Sequence, residues 1–269
     1  MLYPVSNIAQ LSERLSYLCV RPELAEQMGR AGLELVRENH SPEGHYQKLV
    51  ALYEKRAKPE DPKSIPVRAP KAFVPAKRKV RVAFIGARGV IGKYSGLESY
   101  YEEVGSRLAR AGHEVTIYCR SYFTPPLESH NGMRLLRLPT IRSKRLETAV
   151  HTLLSSVHVL SQRCDIVHYH TLGPSLFSFL PRIVGKKTVV TVQGLDWQRK
   201  KGGRFASWVL RLGEASAIRL PHQTMVVSQT LQRYYQNRYG KKTSHIPNGA
   251  SLREIRNAKE IYKTGIDAR

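Results

Sequence analysis

Strand and helix patterns alternate regularly between Val80 and Gly249, and this alternation constrains the fold more than any other feature of the chain. Segment 80–85 is a nearly continuous apolar run, typical of a buried strand. Residues 97–111 then have the spacing of an amphipathic helix, which Gly112 ends. Strands joined by crossover helices predict the α/β class, with a Rossmann-like parallel sheet and helices on both faces. Further strands are predicted at 114–118, 133–138, 165–169, 188–192 and 224–227, and further helices at 145–163, 175–184, 203–219 and 229–239.

The charge of the chain restricts its partners. Lys and Arg number 44 against 21 Asp and Glu, and the formal net charge of +23 favours an anionic partner: nucleic acid, an anionic membrane surface or a phosphorylated ligand. No known nucleic-acid-binding module accompanies the charge, so we expect no nucleic-acid partner. No run of 18 apolar residues or signal-peptide pattern occurs, so any membrane contact should be peripheral. Three cysteines without CxxC spacing favour a reducing cytoplasm, where the protein could lie at the inner face of the membrane.

The chain before Val80 divides into a helical segment and a linker. Residues 1–56 have helical periodicity, and Ser41-Pro42-Glu43 is a start signal for the third of three short helices. Residues 57–79 contain five prolines interleaved with Lys and Arg, which is typical of a semi-rigid linker, and we place the domain boundary there. Three short helices enclose little core, so we expect them to dock on the α/β domain or on a partner.

In a parallel α/β sheet, ligands bind beyond the carboxyl ends of the strands, so the loops there are the candidate sites. The first loop, 86–98, has four glycines and leads directly into a helix, an arrangement that suits an anion. It has neither the GxGxxG nor the GxxxxGK[ST] spacing. Because the second strand ends in Arg120, a nicotinamide cofactor would need a 2′-phosphate. A plain glycine-rich connector is the remaining alternative.

Two later segments carry polar side chains. The first is 168–175, and we expect its two histidines, His168 and His170, to point to opposite faces of their strand, which argues against a shared metal. His168 should lie in the core and His170 nearer the ligand edge. The second runs from Gln193 through Asp196 and Trp197 into a cluster of cations. Such a loop can bind hydroxyl groups, stack on a sugar face and neutralise a phosphate. The alternative is a solvated basic loop anchored by Trp197.

Five motifs in order carry a family resemblance: KVRVAFIGARGVIGKYSGLESYYEEVGSRLARAGHEVTIYCR, DIVHYHTLGPS, VVTVQGLDWQRKKGGRF, MVVSQ and HIPNGA. Together they resemble the N-terminal domain of retaining, nucleotide-sugar-dependent glycosyltransferases of the GT-B fold, in particular the rhamnosyltransferase-like branch of surface-polysaccharide assembly. The first 56 residues resemble the helices that close the C-terminal domain of the same family. Two positions depart from the family: Gln193 replaces a histidine, and Ser95-Gly96 replaces a Gly-Gly pair.

The resemblance implies a site and a reaction. A complete relative transfers a sugar from a nucleoside-diphosphate sugar to a glycan or lipid-linked acceptor, with retention and without a metal or other cofactor. It implies that Gly92, Ser95 and Gly96 lie beside the diphosphate, with Glu98 ordering their loop. The catalytic candidates are His170 and Gln193, beside the sugar, and Asp196, which lies at the acceptor edge with Trp197 and Arg199.

The resemblance also implies a domain organisation: helical tail-like segment 1–56, linker 57–79, acceptor-side GT-B domain 80–250, and the start of an interdomain connection at 251–269. The family's second, donor-binding half has no counterpart in this sequence. We therefore expect the isolated chain to be incomplete, with a second glycosyltransferase half supplied in trans. The alternative is a non-catalytic fragment or binding domain.

Overall fold

The computed structural model describes residues 7–57, 79–91, 95–143, 146–195 and 204–250, with only the backbone of 204–207. In these residues the strands are β1 (Arg81–Ile85), β2 (Glu114–Arg120), β3 (Ser129–His130), β4 (Met133–Leu138), β5 (Ile166–His170), β6 (Lys187–Val192), β7 (Gln223–Val226) and β8 (Ser244–His245). They form one sheet in the order β3-β4-β2-β1-β5-β6-β7-β8. All neighbouring strands are parallel except the pair β3–β4.

Helices cover both faces of this sheet, as shown by the burial of alternate residues of β1, which point to opposite faces. Val82 and Phe84 join one core cluster, with side chains from the helices at 42–56 and 96–110. Ala83 and Ile85 join the other, with side chains from the helices at 147–161, 204–219 and 229–239. The predicted α/β class with a mostly parallel sheet is confirmed. The helices are α1 (Ile8–Cys19), α2 (Pro22–Asn39), α3 (Pro42–Arg56), α4 (Gly96–Arg110), α5 (Glu147–Ser161), α6 (Leu172–Ser175), α7 (Leu180–Ile183), α8 (Arg204–Arg219) and α9 (Gln229–Tyr239).

The helix predicted at 175–184 is wrong. Two four-residue helices, α6 and α7, occupy this region. Inside a continuous helix, Pro181 would lack an N–H to donate and would clash with the preceding turn; it lies instead in the first turn of α7. The hairpin β3–β4 was not predicted, although its loop, Asn131-Gly132, is the dipeptide that favours two-residue hairpins and both residues have positive φ.

The chain divides into two compact units, and the division falls within α3, between His45 and Tyr46. The larger unit spans 46–247, and the described residues of the smaller are 7–45 and 248–250. In the smaller unit, Asn7 caps α1 and the Ala250 amide donates to the His40 carbonyl at 2.7 Å. The domain boundary placed in the linker stays a prediction, because 58–78 lie outside the described residues.

The second half of α3 is part of the α/β core. Tyr46, Leu49, Val50 and Tyr53 recur at helical spacing and are buried together with Phe84. The hydroxyl of Tyr53 lies 2.5 Å from His168 Nδ1. For this part of segment 1–56, the hypothesis that the helices dock on the α/β domain is confirmed.

His113 makes the stability of the α/β unit sensitive to acid. Its buried ring accepts a hydrogen bond at Nδ1 from the Val80 amide at 3.1 Å, so this nitrogen carries no proton. Burial lowers the pKa of His113 from its ordinary 6.5 to about 4. A depressed histidine pKa means that the folded state resists protonation while the unfolded state accepts it.

The stabilisation from His113 is therefore complete above pH 6.5 and is lost as the pH falls from 6.5 to 4. Replacing His113 with asparagine, whose carbonyl can accept the same bond, should flatten the pH dependence of the unfolding free energy over this window by about 3 kcal/mol. Urea unfolding at a series of pH values measures it. Parallel curves for the two proteins would contradict the assignment.

Candidate functional site

Four adjacent parallel strands end at one edge of the sheet, which is the candidate site. Strands β2, β1, β5 and β6 are neighbours in this order. His170 is the last residue of β5 and pairs in register with Thr191 of β6, two residues before Gln193. The loop after β1 leads to Ser95, Gly96 and Glu98 at the start of α4. Gly92, Asp196, Trp197 and Arg199 lie outside the described residues, and their roles stay predictions.

The loop after β1 contacts the end of β5 through backbone. Gly86 has a φ of +134°, and a Cβ there would lie 2.7 Å from the carbonyl oxygen of His170. Both the conformation and the space require glycine at this position. The first candidate loop and the strand that carries His170 are therefore held in close contact.

Ser95 is the N-cap residue of α4, and its side chain is bonded directly to that of Glu98 three residues later. The Ser95 hydroxyl oxygen accepts from the Leu97 amide at 3.3 Å, and the hydroxyl donates to Glu98 Oε2. The other oxygen of the buried Glu98 accepts from the Arg88 amide at 3.3 Å. Glu98 thus ties the loop to the helix, and the serine that departs from the family pattern caps α4. A Cβ at Gly96 would meet no heavy atom within 4 Å.

His168 and His170 lie on the same face of β5, and the expectation of opposite faces was wrong. Residues two apart in a strand share a face, and the two ring centroids are 4.1 Å apart. His168 is fully buried, bonded through Nδ1 to Tyr53 and through Nε2 to the Thr191 hydroxyl at 2.6 Å. Its predicted place in the core is confirmed. Across the described ranges, no group of three His, Cys, Asp or Glu side chains is arranged to hold a metal ion.

The His170 ring is oriented by Tyr101 of α4. The phenol oxygen lies 2.9 Å from His170 Nδ1. Burial raises the pKa of Tyr101 well above its ordinary value, so the phenol keeps its proton and shares a hydrogen bond with Nδ1. The imidazole is buried against Phe84 and Tyr100, with centroid distances of 5.2 and 5.3 Å.

The side chain of Arg120 is buried and forms an ion pair inside the protein. Its guanidinium is only 3% exposed and lies 2.8 Å from the Glu147 carboxylate. It also donates to the Thr148 hydroxyl at 3.0 Å. Burial lowers the pKa of Arg120, an effect that Glu147 opposes. Because the charge is already paired, the arrangement does not favour a cofactor 2′-phosphate at the end of β2.

Sequence reasoning missed Tyr101 and Thr171 at this edge. Thr171 follows His170 and has a φ of +71°, which is rare for a β-branched residue. Its amide donates to the Thr191 carbonyl at 3.0 Å, which holds the strained residue in place. Strain of this kind concentrates at functional sites. No pattern in the sequence predicts the unusual backbone conformation of Thr171. Tyr101 could have been found, because it lies on the buried face of a helix that the periodicity predicted.

Solved structures with a similar fold include sucrose-phosphate synthase from Thermosynechococcus elongatus, at 18% identity and a TM-score of 0.56, covering 71% of this chain and 53% of that one. Another is WaaG, a glycosyltransferase involved in lipopolysaccharide biosynthesis, at 17% identity and a TM-score of 0.51, covering 70% and 52%. The fold is thus that of the GT-B glycosyltransferases. The chain spans about half the length of these structures.

A family model locates the chain more narrowly within this class. The model of Glycosyltransferase Family 4 matches residues 94–254, more than half of the chain. The chain belongs to this family. No curated protein matches it.

Proposed function

We propose that this protein takes part in transferring a sugar from a nucleoside-diphosphate sugar to a glycan or lipid-linked acceptor, with retention, in surface-polysaccharide synthesis. The observation that carries the proposal is membership of Glycosyltransferase Family 4, whose matched region contains the edge with His170 and Gln193. The α/β unit supplies the acceptor-side domain. A second glycosyltransferase half would complete the donor site.

The edge offers complementary chemistry to such a donor. The N-terminus of α4 has a partial positive charge that favours the diphosphate, and the net charge of +23 adds to the attraction. His170 lies buried at the end of β5 with its ring beside Tyr101, and Gln193 provides an amide for a sugar hydroxyl. Asp196, Trp197 and Arg199 would bind the acceptor. The reaction needs no metal in this scheme, because helix dipole and cations stabilise the departing diphosphate.

The protein would work in the cytoplasm at the inner face of the membrane, where lipid-linked acceptors are available. Among the described helices, none has the length and apolar character needed to span a membrane. Contact with an anionic membrane would then be peripheral, with about 1 kcal/mol from each well-placed Lys or Arg.

Donor turnover tests the proposal directly. The purified full chain is incubated with UDP-, GDP- and dTDP-sugars at low salt, alone and together with the product of a neighbouring glycosyltransferase gene. We expect no turnover by the chain alone and transfer when both proteins are present. Turnover alone would overturn the need for a second half. No turnover in either experiment would favour a non-catalytic binding domain.

Gln193 gives the proposal a residue-level test. Replacing Gln193 with alanine should lower kcat/KM of the active mixture about tenfold, because one hydrogen bond to the donor sugar is lost. Gln162, at the opposite edge of the sheet, provides a matched control, and its alanine variant should keep full activity. Equal losses in the two variants would show that Gln193 has no special role.

A further inference from the structure

Helix α5 has reversed polarity. Its buried residues are mostly polar, whereas its solvent-facing residues include Leu153, Leu154 and Val157, which are 42%, 40% and 51% exposed. An ordinary surface helix buries its apolar stripe and exposes its charges. The polar residues buried on α5 are His151, Thr152, Ser155 and Ser156.

The exposed face of α5 is also free of ionic groups. Glu147 is the single Asp, Glu, Lys or Arg among the 15 residues of the helix, and it is paired with Arg120 at 2.8 Å. Neighbouring α7 packs against α5, and Ile183 of α7 and its N-cap residue Phe179 both have exposed side chains. We call the five side chains Leu153, Leu154, Val157, Phe179 and Ile183 the α5–α7 face. In a chain with 24% charged residues, an apolar surface of this kind marks an interaction site.

Cations lie beyond one end of this face. Arg163 comes two residues after the end of α5, and its side chain is exposed. At the C-terminal end of α5, Arg163 and Arg134 line a cavity of about 480 Å³. Glu114 lines the same cavity and is paired with Lys79 at 2.8 Å. An apolar strip with arginines at one end matches the layers of a lipid surface, in which acyl chains lie beneath anionic head groups.

We propose that the α5–α7 face binds the surface of an anionic lipid bilayer. The apolar side chains leave water for the acyl boundary, while Arg134 and Arg163 extend toward the lipid phosphates. A second copy of the chain fits this face less well, because a symmetric dimer would bring two proteins of charge +23 together with their arginine rims opposed. The inference rests on the proposed function only for its biological purpose, which is to hold the enzyme near a lipid-linked acceptor.

Sedimentation with vesicles tests the inference on the full chain, without donor or acceptor. Vesicles of phosphatidylcholine alone are compared with vesicles that also contain phosphatidylglycerol. We expect binding to the anionic vesicles, and a loss of about a hundredfold in affinity when Leu153 and Val157 are both replaced by aspartate. The matched control is Leu127→Asp, at an exposed leucine in the segment between β2 and β3, which should bind as the unmodified protein does.

The charges are tested separately. Arg163→Gln should weaken binding to anionic vesicles about fivefold, whereas Arg233→Gln, on the exposed side of α9, should not. Circular dichroism verifies that each variant is folded.

Three results would overturn the inference: no vesicle binding by the unmodified protein, undiminished binding by the Leu153→Asp/Val157→Asp variant, or self-association without lipid that this variant abolishes. The last would assign the α5–α7 face to a second copy. Sugar transfer to a soluble acceptor, measured on the same variant, should be unchanged. If neither the variant nor the unmodified protein transferred sugar, that result would count against the proposed function and not against the lipid-binding face.

Discussion

Replacing Tyr53 with alanine should lower the free energy of unfolding of this protein by about 3–5 kcal/mol. Tyr53 lies on α3, before the linker, yet its side chain is fully buried in the core cluster that contains Phe84. Its ring packs edge-on against His168, with centroids 5.7 Å apart. The substitution would leave a cavity and would also remove the hydroxyl partner of Nδ1 of the buried His168.

Two further variants separate these contributions. Tyr53→Phe keeps the ring and removes the hydroxyl, so it should cost about 1–2 kcal/mol. Tyr17→Ala, at an exposed tyrosine of α1, should cost less than about 1 kcal/mol. Urea unfolding followed by circular dichroism measures all three. If Tyr53→Ala cost no more than Tyr17→Ala, the second half of α3 could not be part of the folded core.

The order of strands and helices could be predicted because each depends on a local period in the sequence. Strand 133–138 and helix 229–239 were predicted with the bounds that the structure has. The error at α6 and α7 arose where one proline outweighed helical periodicity. The pairing of β3 with β4 and the entry of Tyr53 into the core depend on contacts that no local pattern encodes.

The edge that carries the candidate site could be predicted for a similar reason, since parallel strands all present their carboxyl ends at one edge. In the structure, His170 ends β5 and Gln193 directly follows the neighbouring strand β6. The orientation of His170 was not predictable, because its partner Tyr101 lies 69 residues away in the sequence. Glu98 was expected to order its loop, and in the structure its carboxylate accepts from the Ser95 hydroxyl and the Arg88 amide.

Replacing Gly86 with alanine should destabilise the α/β unit by about 3 kcal/mol or more, because backbone strain and steric overlap add together. With a φ of +134°, the residue adopts a conformation that other residues rarely reach. The new Cβ would lie 2.7 Å from the His170 carbonyl oxygen. Relief requires the loop after β1 to move away from the end of β5, and this movement would displace the candidate donor site.

Gly112 provides the matched control, since its φ is +92° and a Cβ there would meet no heavy atom within 4 Å. Gly112→Ala should therefore cost only the conformational strain, about 1–2 kcal/mol, and leave sugar transfer intact. Urea unfolding measures stability, and kcat/KM of the active mixture at a temperature where both variants are folded measures the site. If the two variants lost the same free energy of unfolding, the loop after β1 could move away from β5 without further cost. If only Gly86→Ala lost sugar transfer, the contact between the loop after β1 and the end of β5 would be required for the reaction. The reason is that both variants place alanine at a positive φ, but only at position 86 does the new methyl group meet a neighbouring atom.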